Sequence, residues 1–571
     1  MHRMLLLLTL ILFAGTVLGC THVQAITIDE THAPSPSAPS TPIPSHPQLV
    51  QPPQRHPSDQ SQTPRPVPVQ SLVRDASPTP HTLFQPVVVD HARPIPTPAP
   101  TPALDFDSPL GLAFGEGSRR LDHFMDYIHD LGVPRTKVSF YWGELEPEPG
   151  RFDFRALDTY LDQLQPQDRA LVNLFTNGWC TQQEEIGSRK GAPLYTCPYN
   201  APSCEKTCDQ YYQEFVAAVA QRVLERAHGG VAYFQRDTEP ASNRHFPATE
   251  PQAYVEIQHL FYTAVKAVLP EVQIIGVNHN GNFTREGQPA SVDFFDYVLQ
   301  HMADDYDILD IRLYEEYGTV DERVAWFRDR MARYGYQKPI VTTEYGGPDP
   351  RTLHNGSDRL FYQLTQILRR VCGGEHSPNP QCSRQWLQAH RDEVDPKLRP
   401  FFGLGSEEEN ALREEVHCHD ITQRTLMALS TGIEATWWWN LRSPGTDPIF
   451  GQMRLMDNRF QPLPGYACFQ RMTGQLAGME QVQRMDLGDP SLYVFQIHRR
   501  EGDPLYVAWH RDPSLDPFDA LQAEPVSVHL PIPDRQVELT DVFGQTWNAS
   551  SQDGWLTLSL SDTPIYIAPM P

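Results

Sequence analysis

Two glutamates stand at the carboxyl ends of predicted strands. The stretch VAYFQRDTEP places Glu239 directly before a proline, and the stretch KPIVTTEYGG places Glu344 shortly before two glycines. Each stretch runs from apolar or β-branched residues into a breaker, which is typical of a buried strand that ends in a loop. A single glutamate in such a place is usually a solvated loop residue. Two of them in the same setting predict a paired-carboxylate site.

Two carboxyl groups can do chemistry together when one is protonated and the other is ionised. The protonated group donates to a leaving oxygen, and the ionised group attacks or stabilises the electron-poor carbon that remains. Cleavage of a glycosidic bond needs both roles, and carboxyl groups about 5 to 5.5 Å apart lead to retention of anomeric configuration. Glu239 and Glu344 are therefore the candidate catalytic residues.

The elements that must bring these glutamates together alternate between strand and helix. Apolar runs separated by segments of helical periodicity occur at Leu110–Gly115, Thr136–Trp142, Ala170–Thr176, Val231–Gln235, Val272–Val277, Ile308–Tyr314, Pro339–Thr343 and Ile433–Trp439. No glycine-rich dinucleotide fingerprint follows the first run, so we predict an α/β fold of the (β/α)8 TIM-barrel type rather than an open sheet. Glu239 then ends the fourth strand and Glu344 the seventh, on one face of the barrel.

The order of the motifs along the chain resembles the retaining (β/α)8 glycoside hydrolases of the large clan A, and is most similar to family 39 and its relatives. The resemblance spans Gly111 to Trp439 and includes WGELEPEPGRFDF after the second strand, which is similar to the clan's W-x-x-x-E-P-x-x-G loop. It implies a carbohydrate substrate, with Glu239 as general acid/base and Glu344 as nucleophile. We therefore expect a glycosidase that cleaves a poly- or oligosaccharide by double displacement.

Two positions depart from the clan's pattern. The clan places Asn directly before the acid/base, where this chain has Thr238, which still offers a hydroxyl to the sugar. After the sixth strand the relatives carry His-x-Tyr, whereas this chain has Glu315 and Tyr317, and we expect Tyr317 to bond the nucleophile. Two other hypotheses stay open: a non-catalytic carbohydrate-binding lipoprotein on a glycosidase fold, and an accessory hydrolase of exopolysaccharide biosynthesis.

Further candidates for substrate binding lie at the carboxyl ends of other strands. Trp437 and Trp439 on the eighth strand share one face because strand side chains alternate, so both are expected to face inward as the floor of a sugar subsite. The alternative is that they only fill the barrel. The other candidates are polar or aromatic residues at strand ends, namely Trp142, Asn173 and Asn278.

The amino-terminal part of the chain predicts export. Residues 1–19 combine Arg3, an apolar core and the ending Val-Leu-Gly before Cys20, which is the pattern of a secretory signal peptide. This ending resembles a bacterial lipobox, which would make Cys20 the lipidated first residue, whereas the alternative is an ordinary signal with an incidental cysteine. Residues 20–105 are rich in Pro, Ser, Thr and Gln and predict a disordered linker. We expect a protein lipid-anchored to the bacterial cell envelope, at the outer membrane or periplasmic face.

Charge and cysteine content limit the partners. The chain has 46 basic against 71 acidic side chains and a formal charge of −25, so we expect no nucleic-acid partner and a monomer. Beside Cys20 there are eight cysteines, an even number that favours disulfides in an exported protein without choosing the pairs. The simplest pairs are local, among Cys180, Cys197, Cys204 and Cys208 and between Cys372 and Cys382. Zinc at His417-Cys418-His419 or at Cys204 and Cys208 is an alternative that lacks a second ligand pair, so we expect no metal and no cofactor.

The last hundred residues predict a different architecture. After Tyr466 the chain shows short alternating runs separated by turns and no helical periodicity, which favours a small C-terminal β-sandwich with a structural role. The predicted organisation is therefore a signal peptide over 1–19, a linker over 20–105, a barrel over 106–465 and a sandwich over 466–571.

Overall fold

The computed structural model describes residues 96–115, 120–122, 124–147, 150–175, 206–236, 240–241, 249–279, 289–314, 317–356, 358–373, 378–443, 447–533 and 535–570. Several of the residues singled out above lie outside these ranges, namely Arg3, Cys20, Cys180, Cys197, Cys204, Thr238, Glu239 and Glu315. Within the ranges, every helix is too short or too polar to span a bilayer.

Eight parallel strands of the described chain close into a barrel, which confirms the predicted fold class. The strands are β1 (Leu110–Ala113), β2 (Arg135–Tyr141), β3 (Arg169–Phe175), β4 (Val231–Arg236), β5 (Gln273–His279), β6 (Ile308–Ile311), β7 (Ile340–Tyr345) and β8 (Thr436–Trp439). Each pairs with its neighbours in sequence, and β8 closes the barrel on β1. The carboxyl ends of all these strands therefore meet at one face.

Helices cover the outside of the barrel. They are α1 (Phe124–Asp130), α2 (Trp142–Leu145), α3 (Arg155–Leu161), α4 (Cys208–Arg226), α5 (Pro251–Val268), α6 (Pro289–His301), α7 (Val320–Arg333), α8 (Leu360–Cys372), α9 (Pro380–Ala389) and α10 (Glu407–Ser430). Short 3-10 turns lie at Tyr317–Thr319, Pro350–Thr352, Arg391–Glu393, Arg399–Phe402 and Phe450–Gln452, and a small hairpin joins His354–Asn355 to Asp358–Arg359.

The barrel interior has an apolar half and a polar half. The apolar half lies toward the amino ends of the strands and consists of Leu171, Tyr233, Ile275, Ile308, Val341, Ala435 and Trp437. Two residues further along several of these strands, the inward side chains are polar: Asn173, Gln235, Asp310 and Thr343, all fully buried. The polar half is thus built into the side of the barrel where active sites of this fold lie.

Antiparallel strands form the C-terminal region, as predicted. After α11 (Pro464–Gln475) come β9 (Met479–Arg484), β10 (Leu492–Arg499), β11 (Leu505–His510), the short helix α12 (Pro517–Ala520), β12 (Val526–Leu530), β13 (Gln536–Asp541), β14 (Thr546–Ser550), β15 (Leu556–Leu560) and β16 (Ile565–Pro569). In the described part, one sheet has the order β9-β10-β11-β16-β13-β14, and β12 pairs with β15. An apolar core that includes Val494, Leu539 and Leu558 lies between them.

The helix α11 belongs to the barrel by its contacts. Cys468 on α11 forms a disulfide with Cys418 on α10, and Gln470 donates a hydrogen bond of 2.9 Å to the backbone carbonyl of Asp130 on the barrel's first helix. The alternating strand pattern begins only at Met479. The structure therefore places the junction between the two domains about a dozen residues later than the composition suggests.

Two disulfides join described cysteines. Cys372 pairs with Cys382, as the local assignment predicts, and Cys418 pairs with Cys468 across 50 positions of sequence. Because the Cys418 sulfur is used in this bond, the zinc interpretation of the triplet around it is wrong. The remaining cysteines of the long insertion, apart from the backbone of Cys208, lie outside the described residues.

The last part of the predicted linker, residues 96–105, packs on the folded protein. The backbone amide of Thr97 donates a hydrogen bond of 3.1 Å to the carbonyl oxygen of Phe543 in the sandwich. Asp105 forms an ion pair with Arg500 of the same domain. The folded part thus begins before the boundary that composition assigns to it.

Truncation within this segment should lower stability. A chain that begins at Pro96 keeps the contacts of Thr97 and Asp105, whereas a chain that begins at Asp107 loses both, and we expect it to melt a few degrees lower. Differential scanning calorimetry of the two chains measures the difference. Thr97→Ala in the longer chain removes only the side-chain hydroxyl, which donates a hydrogen bond of 3.1 Å to the same carbonyl oxygen of Phe543. Equal melting temperatures would show that the segment contributes nothing to the fold.

Candidate active site

The predicted nucleophile, Glu344, lies at the carboxyl end of β7 with its side chain in the polar half of the barrel. The residue is only 6% exposed. Its Oε1 accepts a hydrogen bond of 2.8 Å from Lys137 Nζ and lies 3.1 Å from Arg312 Nη1. Its Oε2 accepts a hydrogen bond of 3.0 Å from the hydroxyl of Tyr314. Two cations and one hydroxyl therefore hold the carboxylate in place.

The cations keep this buried carboxyl group ionised. Burial by itself would raise the pKa of Glu344, but the charges of Arg312 and Lys137, with hydrogen bonds from Lys137 and Tyr314, hold the pKa below its ordinary value. An ionised carboxylate is the form that attacks carbon. The geometry thus supplies the charge state that the predicted role requires.

Lys137 is itself perturbed by this setting. Its side chain is 1% exposed. Burial and the nearby charge of Arg312 lower the pKa of Lys137 to about 8, although Glu344 and Asp310 oppose this shift. The ammonium group therefore carries its charge at neutral pH and titrates far below the usual range for lysine.

Thr343 connects the two charged pairs beneath the nucleophile. Its hydroxyl oxygen accepts hydrogen bonds from Lys137 Nζ at 3.1 Å and Arg312 Nη1 at 2.5 Å, and donates to Asp310 Oδ2 at 3.0 Å. The backbone amide of Thr343 also donates to Asp310 Oδ1 at 2.7 Å. Asp310 and Glu344 together balance the charges of Lys137 and Arg312, which is the condition for burying four charges in one place.

Gln235 and Asn278 extend the same network to β4 and β5. Gln235 Nε2 donates hydrogen bonds to Asn278 Oδ1 at 2.6 Å and to Asp310 Oδ2 at 2.9 Å, and Asn278 Nδ2 donates to the carbonyl of Arg236 at 2.8 Å. Asn278 and the preceding Val277 have positive φ of 50° and 72°. A β-branched residue in this region is strained by about 1–3 kcal/mol, so these buried hydrogen bonds hold an unfavourable backbone in place. Asn278 is fully buried, and its side chain forms hydrogen bonds within this network.

The structure places Trp142 away from the barrel interior, which corrects its assignment to the substrate. Its ring is 1% exposed and stacks on Phe215 of α4 at 5.0 Å. Its Nε1 donates a hydrogen bond of 2.7 Å to Glu146, which also accepts one of 2.7 Å from the Gly150 amide. The W-x-x-x-E-P-x-x-G signature therefore stabilises the loop that follows α2, because Glu146 joins Trp142 to Gly150, and it is not part of a sugar site.

Tyr317 does not bond the nucleophile, so this prediction is wrong. The 3-10 turn Tyr317–Thr319 directs its side chain into the sandwich, where its hydroxyl accepts a hydrogen bond of 3.3 Å from Trp509 Nε1. The ring also lies beneath the guanidinium of Arg511, 5.1 Å away. Tyr314, three residues earlier, takes the place that was predicted for Tyr317.

The tryptophans of β8 alternate as predicted, but only one of the two inward rings is open. Trp437 is fully buried in the apolar half, with its ring 5.7 Å from that of Tyr233, so it fills the barrel and offers no sugar platform. Trp438 points outward and donates to the carbonyl of Met453 at 3.0 Å. Trp439, at the end of the strand, stays partly exposed.

Asn173 lies in the polar half of the barrel, where Nδ2 donates a hydrogen bond of 3.0 Å to Ser139 on β2. It is fully buried. The structure therefore brings Asn173, Asn278, Trp439 and Glu344 to the carboxyl half of the barrel. Thr238 and Glu239 lie outside the described residues, and their strand, β4, ends next to the same network.

Sequence reasoning missed four residues of the network around Glu344, the predicted nucleophile, namely Lys137, Asp310, Arg312 and Tyr314. A signal was present in the spacing. In DIRLY, which begins inside the strand Ile308–Ile311 at Asp310, charged or polar residues alternate with apolar ones, and a lysine interrupts the apolar run after Thr136. Ionisable residues inside otherwise buried strands need partners, and those partners mark a site.

Comparison with known proteins finds similar solved structures. The chain matches no protein-family model and no curated protein sequence. A family 39 glycoside hydrolase from the gut symbiont Bacteroides cellulosilyticus WH2 is 14% identical, with a TM-score of 0.53 over 82% of this chain and 81% of that one. A glucosidase from Croceicoccus marinus is 12% identical, with a TM-score of 0.49 over 84% and 98% of the two chains. A GH39 β-xylosidase from Caulobacter crescentus is also 12% identical, with a TM-score of 0.48 over 84% and 98%. The first of these likenesses shows that this chain has the fold of a family 39 glycoside hydrolase.

Proposed function

We propose that this protein is a retaining glycoside hydrolase that cleaves O-glycosidic bonds of a poly- or oligosaccharide by double displacement. The observation that carries the proposal is Glu344, an ionised, buried carboxylate at the carboxyl end of β7 that is held by two cations and by Tyr314. The shared fold of the Bacteroides family 39 enzyme supports it. Because both carboxylates of such a site stand on barrel strands, Glu239 after β4 is the proposed partner.

The first step breaks the glycosidic bond. Glu239 donates its proton to the leaving oxygen while an oxygen of Glu344 bonds to the anomeric carbon, so the leaving sugar departs neutral and a glycosyl ester remains. Oε2 suits this attack, because it accepts the uncharged hydrogen bond from Tyr314, whereas Lys137 and Arg312 both lie against Oε1. The bond to Tyr314 can be released as the new bond forms.

The second step returns the enzyme to its starting state. Glu239, now ionised, takes a proton from water while the water oxygen attacks the anomeric carbon, and the Glu344 carboxylate leaves. Negative charge develops on Glu344 as it departs. Lys137 and Arg312 are already in place to stabilise that charge without reorganisation, so they accelerate this step more than the first.

A glycan screen tests the proposal directly. Purified protein is incubated with a panel of poly- and oligosaccharides, and the anomeric configuration of the first product is followed by proton NMR. Release of a product that keeps the configuration of the substrate supports double displacement. Inverted products would exclude Glu344 as nucleophile, and glycan binding without any release would favour the non-catalytic lipoprotein, to which Thr238 in place of the clan's Asn also points.

Glu239→Ala should be rescued by an external anion. On an aryl glycoside with a good leaving group the first step needs no acid, so the glycosyl ester still forms in the variant, but water is no longer activated. We expect azide to raise the steady-state rate at least tenfold and to yield a glycosyl azide of retained configuration, measured by absorbance and NMR. The wild-type enzyme is the control and should respond little. No azide adduct in the variant would contradict the acid/base role.

We propose that the protein acts at the cell envelope through a lipid on Cys20. The lipobox-like ending before that residue supports this place of action, with the proline-rich segment as spacer. We expect Cys20→Ser to shift the protein from the membrane fraction to the soluble fraction, with unchanged specific activity. Cys372→Ser is the matched control, because it also removes one cysteine but should stay with the membranes. Equal fractionation of both variants would contradict the anchor.

A further inference from the structure

We propose that Tyr141 and Phe175 form an aromatic subsite that binds the ring of a sugar unit next to the one attached to Glu344. The two residues end β2 and β3 and are paired in register across these strands. The proposal rests on the proposed function, since it names a binding element of the same site. It assigns to β2 and β3 the aromatic platform that the buried Trp437 on β8 cannot provide.

The side chains of β2 show which way Tyr141 faces. Side chains at every second position of a strand share one face. Lys137 and Ser139 both point into the barrel, because Lys137 reaches Glu344 and Ser139 accepts a hydrogen bond from Asn173. Tyr141 lies two residues beyond Ser139, so its side chain points the same way, at the carboxyl end of the barrel.

The same argument holds for β3. Leu171 belongs to the apolar half of the barrel interior, and Asn173 belongs to the polar half. Phe175 is the next inward position and ends the strand. The two rows therefore place both aromatic rings above the polar half, at the open end of the barrel.

The two rings pack face to face, so the ring surface that the pair presents is that of Tyr141. Their centroids are 4.7 Å apart and their planes differ by 11°, which is a stacked pair. Tyr141 stays partly exposed, and Phe175 is 7% exposed behind it. Phe175 thus fixes the orientation of Tyr141, and the pair presents an apolar face with a hydroxyl at its edge.

The position of Tyr141 along β2 suits a neighbouring sugar. Tyr141 lies four residues after Lys137, about 13 Å along the strand, and the long side chain of Lys137 covers part of that distance as it reaches Glu344. The rings therefore lie beyond the sugar that bonds to Glu344, where the next unit of an oligosaccharide would sit. Sugar rings present C–H faces that pack on aromatic rings, so a pyranose is the ligand that fits this surface.

An unsatisfied acceptor lies one inward position before Phe175 on β3. Asn173 Oδ1 is buried and has no hydrogen-bond partner among the residues that the structure describes. Buried polar atoms are nearly always bonded, so a missing partner needs an explanation. A hydroxyl of the bound sugar is a donor of the right kind, and the proposal therefore includes Asn173 as its acceptor.

The experiment compares substrates that do and do not reach the rings. Tyr141→Ala and Phe175→Ala are assayed on the 4-nitrophenyl monoglycosides of xylose and glucose and on xylotetraose and cellotetraose. We expect kcat/KM for a tetrasaccharide to fall about tenfold, mainly through KM, which corresponds to about 1.4 kcal/mol of lost contact with the sugar ring. The monoglycosides should change less than twofold. Tyr141→Phe, which keeps the ring, should retain tetrasaccharide activity, and Trp555→Ala, which removes a half-exposed aromatic of the sandwich, is the matched control.

A binding measurement separates failure of the subsite from failure of the proposed function. Calorimetric titration of xylotetraose and cellotetraose into Glu344→Gln protein needs no turnover, and adding Tyr141→Ala should weaken Kd about tenfold. If the wild-type protein hydrolyses nothing but this loss is seen, the subsite stands and the proposed function falls. Equal losses on monoglycosides and tetrasaccharides, unchanged kcat/KM for the tetrasaccharides, or no binding of either tetrasaccharide would overturn the subsite.

Discussion

Replacing Glu344 by glutamine should abolish turnover and leave the protein folded. The amide has nearly the shape of the carboxylate but cannot form the glycosyl ester, so we expect kcat to fall by about 10⁴-fold or more, which is about 5.5 kcal/mol of lost transition-state stabilisation. The fold tolerates the change because Lys137, whose pKa is already lowered to about 8, can release its proton when its carboxylate partner is gone. The measurement is steady-state kinetics on the best substrate of the glycan screen, with circular dichroism to confirm folding.

Glu146→Gln is the matched control for that variant. Glu146 is also a buried glutamate, and it accepts hydrogen bonds from Trp142 and from the amide of Gly150. We expect this variant to melt at a lower temperature with kcat changed less than threefold. If Glu344→Gln keeps more than a few per cent of wild-type kcat, or if both variants lose activity equally, the assignment of Glu344 as nucleophile is wrong.

The barrel was predictable because each strand carries its own signal. Buried parallel strands appear in the sequence as short apolar runs bounded by turns, and every predicted run corresponds to an observed strand within a few residues.

Helix α10 shows the limit of predicting an element from its apolar periodicity. Its apolar periodicity is clear only after Asp420, whereas the helix begins at Glu407, where Ser406 caps it and Glu409 completes a capping box. The sequence pattern S-x-x-E at Ser406–Glu409 indicates this cap, and the pattern does not depend on burial.

The surroundings of the nucleophile could not be predicted in the same way. Lys137 contacts Glu344 across 207 positions of sequence, and which inward residue meets which depends on the register of strands around the closed barrel. The choice between Tyr314 and Tyr317 depends on one 3-10 turn, which turns Tyr317 toward Trp509. Spacing along a chain indicates that a tyrosine follows β6, but only the turn decides which one faces the site.

The buried charges also explain why the nucleophile could be named while its partners could not. A glutamate at the end of a strand is recognised from its position alone. A lysine inside an apolar run is recognised only when its counter-ions are known, because an isolated buried cation costs several kcal/mol. Asp310 and Glu344 supply those counter-ions from β6 and β7, far from Lys137 in sequence. The network around Glu344 thus depends on closure of the whole barrel, whereas Glu344 itself, the predicted nucleophile, is recognised from one strand.

Replacing Lys137 by methionine should lower both stability and activity. The substitution leaves Arg312 as the cation facing Asp310 and Glu344, so two buried carboxylates share one positive charge. Breaking a buried ion pair costs about 3–5 kcal/mol, which chemical denaturation measures as a loss in the free energy of unfolding. The pKa of Glu344 should rise as its cation is removed. The departing Glu344 carboxylate also loses one of the two cations that stabilise it in the second step, so we expect kcat at neutral pH to fall about 100-fold.

Lys137→Arg keeps the positive charge that Lys137→Met removes, so comparing the two variants separates the effect of the charge from that of packing. The arginine variant should also have a different pH profile from the wild-type enzyme. In the wild-type enzyme the charge of Lys137 is lost as pH rises through about 8, and with it goes one of the two cations that stabilise the departing Glu344 carboxylate. We therefore expect an alkaline limb in kcat near pH 8 that is absent in the arginine variant, whose guanidinium does not titrate there. Stability has the opposite trend for this group: between about pH 8 and the ordinary lysine value of 10.5 the unfolded chain binds more protons than the folded one, so the contribution of Lys137 to stability rises with pH. An alkaline limb that persists unchanged in Lys137→Arg would assign it to another group and remove Lys137 from the second step.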